Sequence, residues 1–430
     1  MAAMLVSSLI FFVALGLIFS EKVNRTIVAL SGAVIMVLVG LAMGFYSEEQ
    51  ATATIDFNTL GLLLGMMILV SLLEPTGFFQ YVAVWMGRLS AGKPMRLLVL
   101  LGAVTTVVSM FLDNVTTVVL IAPVTILISE ILGLNARPFL LAEALLSNTG
   151  GVATLVGDPP NILIASAAHF SFNDFLIHAL PVVAVSWFVA LYLLQYLFRE
   201  DLRVSAPTAQ EVIMQLQPTE ALKDRSAAIK VLIVIGLAVV GFLFEEKLHM
   251  RPALVALSAS ALGLSWIRPD VRETLKRIEW DVLIFFCGLF VMVGGMQAAG
   301  VLGEVAHLIT HGLQLPPVLL GVILMWVVAL LSAIVDNVPI TIALIPVLME
   351  LGQTGMNIAP LWWALAFGAG FGGNGTIIGS SANVIVTSLS ERTRTPITPM
   401  LWSRRGLPVM LATCLTASIL YVVVYYTIGF

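Results

Sequence analysis

Apolar stretches of roughly 17 to 22 residues follow one another from Met4 to Tyr426, each about long enough to cross a hydrocarbon core of about 30 Å. With 59% hydrophobic and 11% charged residues, the 430-residue chain carries more apolar surface than a soluble fold could hide, so its solvent is lipid. In lipid each backbone N–H and C=O has to be satisfied inside the protein, which makes helices the default element. The expected fold class is therefore an all-α polytopic membrane protein. No Lys or Arg precedes the first apolar run, which is read as a membrane helix rather than a cleaved signal. The net charge of −4 is spread over loops and points to no nucleic-acid partner. Only Cys287 and Cys414 occur, both inside apolar segments, so no disulfide framework is expected.

The chain also repeats itself. Sliding the sequence by 223 residues lays Leu112-Asp113-Asn114-Val115 on Val335-Asp336-Asn337-Val338, and Pro123 on Pro346. The same shift carries Ile55-Asp56-Phe57-Asn58 onto Ile278-Glu279-Trp280-Asp281, and Gly65 and Gly77 onto Gly288 and Gly300. At a shift of 222, Gly151, Gly157 and Asn161 fall on Gly373, Gly379 and Asn383. Residues 1–198 form the first copy and 227–430 the second. The polar segment 199–226, rich in Pro, Gln and charge, reads as a cytoplasmic linker.

Matched loops carry opposite charge bias, and cytoplasmic loops collect Lys and Arg. Ser47 to Asn58 has no base, whereas its counterpart, Arg268 to Trp280, has Arg268, Arg272, Lys276 and Arg277. Arg88 to Arg96 holds three bases against none from His311 to Pro317. His169 to Pro181 has no Lys or Arg, and Glu391 to Arg405 has four Arg. The copies are expected to be inverted, each with about five transmembrane helices, one of them broken, plus a re-entrant hairpin. Both termini then face outward.

The hairpin is read from Arg96 to Gly133, with arms of about 16 residues, short for full crossings, meeting at the polar tip Asp113 to Thr117. The broken helix runs from Phe139 through Ser147-Asn148-Thr149-Gly150-Gly151 to Gly157-Asp158-Pro159-Pro160-Asn161. Such breaks aim half-helix termini and free carbonyls at a site near the midplane.

These residues resemble a family. Asp-Asn-Val-Thr-Thr at 113–117, Gly-Gly-x-x-Thr-x-x-Gly-Asp-Pro-Pro-Asn at 150–161 and their second-copy versions are similar to the ion transporter superfamily. That group includes arsenite permeases, Na+/H+ antiporters, the melanosomal P protein, and sodium-coupled dicarboxylate and sulfate symporters. The resemblance spans about 400 residues. It implies an inverted-repeat fold whose tips and breaks hold substrate and coupling ion, with elevator-like movement of a transport domain. The sodium-coupled dicarboxylate carriers have a Ser-Asn-Thr tip and a Gly-Thr-Pro-Pro break. Aspartate at both tips and Gly-Asp-Pro-Pro at the first break place this chain nearer the arsenite permease and P protein branch.

The chemistry also follows from the residues. An ionised carboxylate at the bilayer centre costs about 2.5 to 3.5 kcal/mol on insertion scales, so Asp113 and Asp336 are read as proton or cation groups, or else as helix caps. Asn114, Asn337, Asn148 and Asn374 each offer donors and an acceptor for an uncharged oxyacid or a dehydrated cation, or for freed backbone groups. Thr116, Thr117, Thr149, Gly151, Thr154, Asn161, Gly373, Thr376 and Asn383 complete the candidate binding set, with Asp158 as a site carboxylate or a cap. Glu143 is read as a proton relay or as a group facing a polar cavity. The five histidines lack metal-ligand spacing, and the Gly-rich runs lack a phosphate-loop context, so no metal, cofactor or nucleotide is expected.

Two symmetric broken sites suit alternating access better than a channel, which needs a continuous pore, and no nucleophile–base pair suggests an enzyme. With no base seen near the breaks, an anion lacks a clamp. The expected activity is proton-coupled efflux of a neutral oxyacid, arsenite or antimonite, ahead of Na+/H+ antiport, with a divalent anion symporter or ion channel behind. Expected partners are that small ion or oxyacid, a coupling proton or sodium, and the bilayer of a bacterial or archaeal inner membrane. A second copy of the chain and an ATPase subunit are compatible additions.

Overall fold

The computed structural model describes residues 1–19, 22–203, 217–301, 303 and 315–430. All regular structure among them is helical, and seven helices are long and apolar enough to cross a membrane. The first copy opens with α1 (Ala2–Phe19), α2 (Arg25–Met43) and α3 (Phe57–Leu73). Next come α4 (Phe78–Ser90), α5 (Pro94–Ser109) and α6 (Asn114–Ile131). The copy closes with α7 (Arg137–Gly151), α8 (Pro159–Ala168) and α9 (Leu180–Leu197). The second copy runs through α10 (Arg225–Leu243), α11 (Pro252–Ile267), α12 (Trp280–Ala298) and α13 (Pro317–Ser332). It ends with α14 (Asn337–Gln353), α15 (Ala359–Gly372), α16 (Ser381–Ser390) and α17 (Pro399–Thr427).

The repeat is written into side-chain bonds. Asn161 Nδ2 donates to the carbonyls of Gly151 (3.0 Å) and Thr154 (2.8 Å), and Asn383 Nδ2 donates to those of Gly373 (2.7 Å) and Thr376 (2.9 Å). Ser109 Oγ donates to Ser147 O, and Ser332 Oγ to Ala369 O, each at 2.8 Å. The Thr154 hydroxyl donates to Met110 O and the Thr376 hydroxyl to Ala333 O, tying each helix break to the hairpin tip beside it. The copies also interlock. A Cβ on Gly65 of α3 would come within 2.6 Å of the Ala256 backbone in α11, and one on Gly288 of α12 within 2.6 Å of the Ala29 backbone in α2. Glycine at those two places lets each copy's third helix seat directly on the other copy's second helix.

Four boundaries differ from the sequence reading. Helix α4 was not expected; Gly77, at φ 78°, turns the chain into it, and the Ala221 carbonyl sits where a Cβ would stand. Residues after 216 in the expected linker are accordingly docked: Lys223 and Asp224 donate their N–H groups to Thr76 O at 2.8 and 3.2 Å. The stretch 169–181 is largely helical, because α9 is entered through a helical run starting at Phe172, and 391–405 is helical from Pro399, where α17 starts. Polar residues there extend helices past the apolar region. Linker residues 204–216, His307, His311 and the start of the His311–Pro317 loop lie outside the described residues.

One clamp holds the far side of the molecule. Glu245, just past α10, is 3% exposed and accepts the Phe172 N–H on Oε1 at 2.8 Å, while its Oε2 has no hydrogen-bond partner. Phe172 stacks on Phe242, with centroids 5.4 Å apart. Burial pushes the Glu245 carboxyl from 4.5 up to about 7; the Phe172 N–H pulls it partly back, and Glu246 and Asp174 add to the rise. A carboxyl that titrates higher folded than unfolded contributes stability that is whole at low pH and is lost as pH climbs from its unfolded value through about 7. Detergent-solubilised protein should thus melt at lower temperature at pH 8 than at pH 5. Glu245→Gln should flatten that fall, and an unchanged slope in the variant would assign the dependence to another group.

Candidate functional site

The first tip and the two breaks converge on one amide, and the second tip joins them through Asp158. Asp113 ends the tip turn by capping α6: its Oδ1 accepts the Thr116 N–H at 2.8 Å and its Oδ2 the Thr116 hydroxyl at 2.6 Å. That cap points Asn114 inward, where its Nδ2 donates to Asn148 Oδ1 at 2.9 Å. Ser380 Oγ donates to the same oxygen at 3.0 Å, and Asn148 Nδ2 donates to Asn374 Oδ1 and Asn383 Oδ1, both at 3.0 Å. Asn374 Nδ2 reaches back to Thr149 Oγ1 at 3.2 Å, and Asn337 Nδ2 crosses to Asp158 Oδ2 at 3.0 Å. All these side chains are buried except those of Asp113 and Thr116, which are part-buried. The Asn148 amide uses both donors and both acceptor directions, which is the full capacity of the group.

Beside this hub lies a small cavity of about 60 Å³. Its polar lining includes Asp113, Asp158, Asp336 and Glu279, with Arg25 as the one base among the described lining residues; Met66, Met67, Phe285 and Phe286 form apolar wall. Arg25 Nη1 lies 3.5 Å from Asp336 Oδ2 and 3.2 Å from Ser381 Oγ, and Ser381 donates to that same Asp336 oxygen at 2.7 Å. The guanidinium also sits over Phe285, 5.4 Å from the ring centroid. Asp336 is thus neutralised in place. Among the described residues Asp113 bonds only Thr116 and backbone N–H groups, with Arg277 lining an adjoining space beside it.

The arrangement corrects one expectation. The sequence reading saw no base near the breaks, but Arg25, from the first turn of α2, stands against the second tip. Glu279 was also missed as a lining group, although it is the repeat counterpart of Asp56, an acidic residue opening an apolar helix. Arg25 announces itself only as the lone charge starting a 19-residue apolar helix.

The remaining candidates divide. Asp113, Asn114, Asp158, Asp336 and Asn337 line the cavity. Asn148, Asn374, Asn383 and Thr149 form the hub behind it. Asn161, Thr154 and Thr376 bind backbone carbonyls of the breaks and tips. Gly151 and Gly373 do not face the cavity: a Cβ there would meet the Gly157 carbonyl at 2.8 Å or the Gly379 carbonyl at 2.9 Å, so they let each break fold back on itself. Asp158 leaves the start of α8 uncapped and gives its carboxylate to Asn337 instead. Asp336 caps its arm through the Val338 N–H at 3.2 Å. Thr117 is fully buried and its hydroxyl has no hydrogen-bond partner. Glu143, fully buried, accepts the Thr125 hydroxyl and lies off the cavity lining.

Comparison with known proteins places this geometry. The model of the citrate transporter family, CitMHS, matches residues 15–368, most of the chain. The chain belongs to the citrate transporter family. A member from Mycobacterium leprae, a 46 kDa membrane protein, is 42% identical over 418 residues, covering 95% of this chain and 96% of its own. An uncharacterized transporter of Mycobacterium tuberculosis is 41% identical, covering 97% of each. Human P protein is 31% identical over 96% of this chain, which spans 59% of that longer protein. Among solved structures, the YdaH transporter of Alcanivorax borkumensis superposes with a TM-score of 0.65 at 18% identity, covering 95% of this chain and 99% of its own. The likeness in fold and the family membership together make the protein an integral membrane transporter.

The hub predicts a stability effect. Asn148→Ala removes four bonds and strands buried partners, each at a cost of about 1–3 kcal/mol. It should lower the melting temperature in detergent further than Asn114→Ala, which removes one of those bonds. Equal melting of the two variants would mean that water replaces the lost partners and that the hub holds nothing together.

Proposed function

We propose that this citrate-transporter-family protein is a secondary active carrier that exchanges protons for a monovalent cation such as sodium at the acidic cavity. Its two copies are inverted in the bilayer, and elevator-like movement of the tips and breaks gives alternating access. The observation that carries the reading is the charge balance: four carboxylates face the cavity against the single guanidinium of Arg25. Such a cavity draws cations or protons, and the two compete for the same oxygens. Free citrate, the substrate in the family's description, meets like charge there, which costs several kcal/mol. A neutral oxyacid such as arsenite would need free amide donors, and those of Asn148 are already used.

Roles divide between the tips. Asp113, bonded by no base among the described residues, exchanges proton for cation; Asp336, held by Arg25 and Ser381, fixes the second tip. In proteoliposomes carrying a pH gradient, sodium should evoke proton movement, while arsenite and citrate should not. Asp113→Asn should reduce the sodium response to the level of empty liposomes. Asp336→Asn should retain a response but weaken its apparent affinity, because it frees Arg25 inside the cavity. A response to arsenite or citrate without one to sodium would overturn the cation reading, and a full response from Asp113→Asn would overturn the division of roles.

A further inference from the structure

A second, wider space of about 660 Å³ lies at the other end of the helices that line the acidic cavity. Helix α3 serves both: Leu63, Met66 and Val70 face the cavity, while Leu62 and, at its start, Asp56 and Asn58 face this vestibule. Helix α8 is shared in the opposite order along the chain. Asp158 and Pro159 at its start belong to the cavity, and Ala165, Ser166 and His169 at its end belong to the vestibule. Ile162, 3% exposed, is the one residue among those described that lines both. The vestibule rim is polar, with Glu246, His249 and Arg251. Ile162 therefore stands in the wall between the two spaces, beside the neighbouring pairs Leu62–Leu63 and Leu155–Val156, each of which has one residue on either space.

The physics of such a barrier is simple. A charge in an apolar constriction loses its water without replacement, and a narrow apolar neck excludes water altogether. We propose that Ile162 is the gate of the transport path, a hydrophobic plug that keeps the acidic cavity closed to the vestibule until α8 moves. Its position explains why α8 begins at a break: the helix is anchored at Asp158 by Asn337 and at Asn161 by the break carbonyls, which sets Ile162 one residue past that anchor. The side chain's volume then sets what crosses. The proposal rests on the carrier reading for its direction of transport and is independent of which ion is carried.

The test uses the full-length protein in liposomes with a trapped pH dye and no candidate substrate. Ile162→Ala should let an imposed pH gradient decay about tenfold faster than wild type, as expected when a hydrophobic constriction is widened. Ile162→Leu, of equal volume, should hold the gradient. In a background lacking Cys287 and Cys414, Ile162→Cys should react with a membrane-impermeant thiol reagent added to either face. Decay at the wild-type rate in Ile162→Ala overturns the gate. If that variant fails to insert, labelling of Ile162→Cys from both faces supports the gate and labelling from one face or neither overturns it. A leaky Ile162→Ala beside a wild-type protein that ignores sodium would leave the gate standing and remove the cation reading.

Discussion

Four helices end in the interior of this protein, two at hairpin tips and two at breaks, and in lipid their free backbone groups find no water. Everything around the site answers that constraint. Asp113 and Asp336 take the N–H groups of the arms they start. Asn161 and Asn383 take the carbonyls of the breaks, and Thr154 and Thr376 those of the tips. Once those ends are satisfied, the polar side chains left over meet between the copies, and Asn148 binds one copy to the other through Asn374, Asn383 and Ser380. A polar hub inside a membrane protein is costly unless complete, and this one is complete at its centre.

The same skeleton carries unlike chemistry in its two halves. Where the first break has Asp158 and Pro159, the second has Ser380 and Ser381. Ser381 joins Arg25 on Asp336, whereas Asp113, beside Asp158 and Glu279, is bonded by no base among the described residues, the nearby Arg277 being paired with Glu74. Repeating the backbone while changing a few side chains yields one compensated tip and one uncompensated tip. That asymmetry separates holding the site together from exchanging charge within it.

Much of this was legible in the sequence, for a physical reason. Breaking a helix in lipid needs glycine, proline and capping side chains at fixed spacing, so Asp113, Asn161 and their counterparts stand out against an apolar background. Arg25 and Glu279 did not, because each sits at a helix end where a charge usually meets water. Only packing of α2 and α12 against the tips brings them to the cavity. Gly151 and Gly373 were found but given a different task, since sequence marks where glycine is needed and not which atom approaches it. Helix α4 was missed because its amphipathic pattern follows closely on the apolar run of α3, with only Glu74-Pro75-Thr76-Gly77 between them.

The central claim is that cation and proton compete for the uncompensated carboxylates of the first tip. Titration calorimetry of sodium binding to the detergent-solubilised protein, repeated across pH in two buffers of different ionisation enthalpy, measures that competition directly. Sodium affinity should fall up to tenfold for each pH unit below the titration of the site, with about one proton released per ion bound. Sodium binding with the same affinity at every pH and no proton release would contradict the claim.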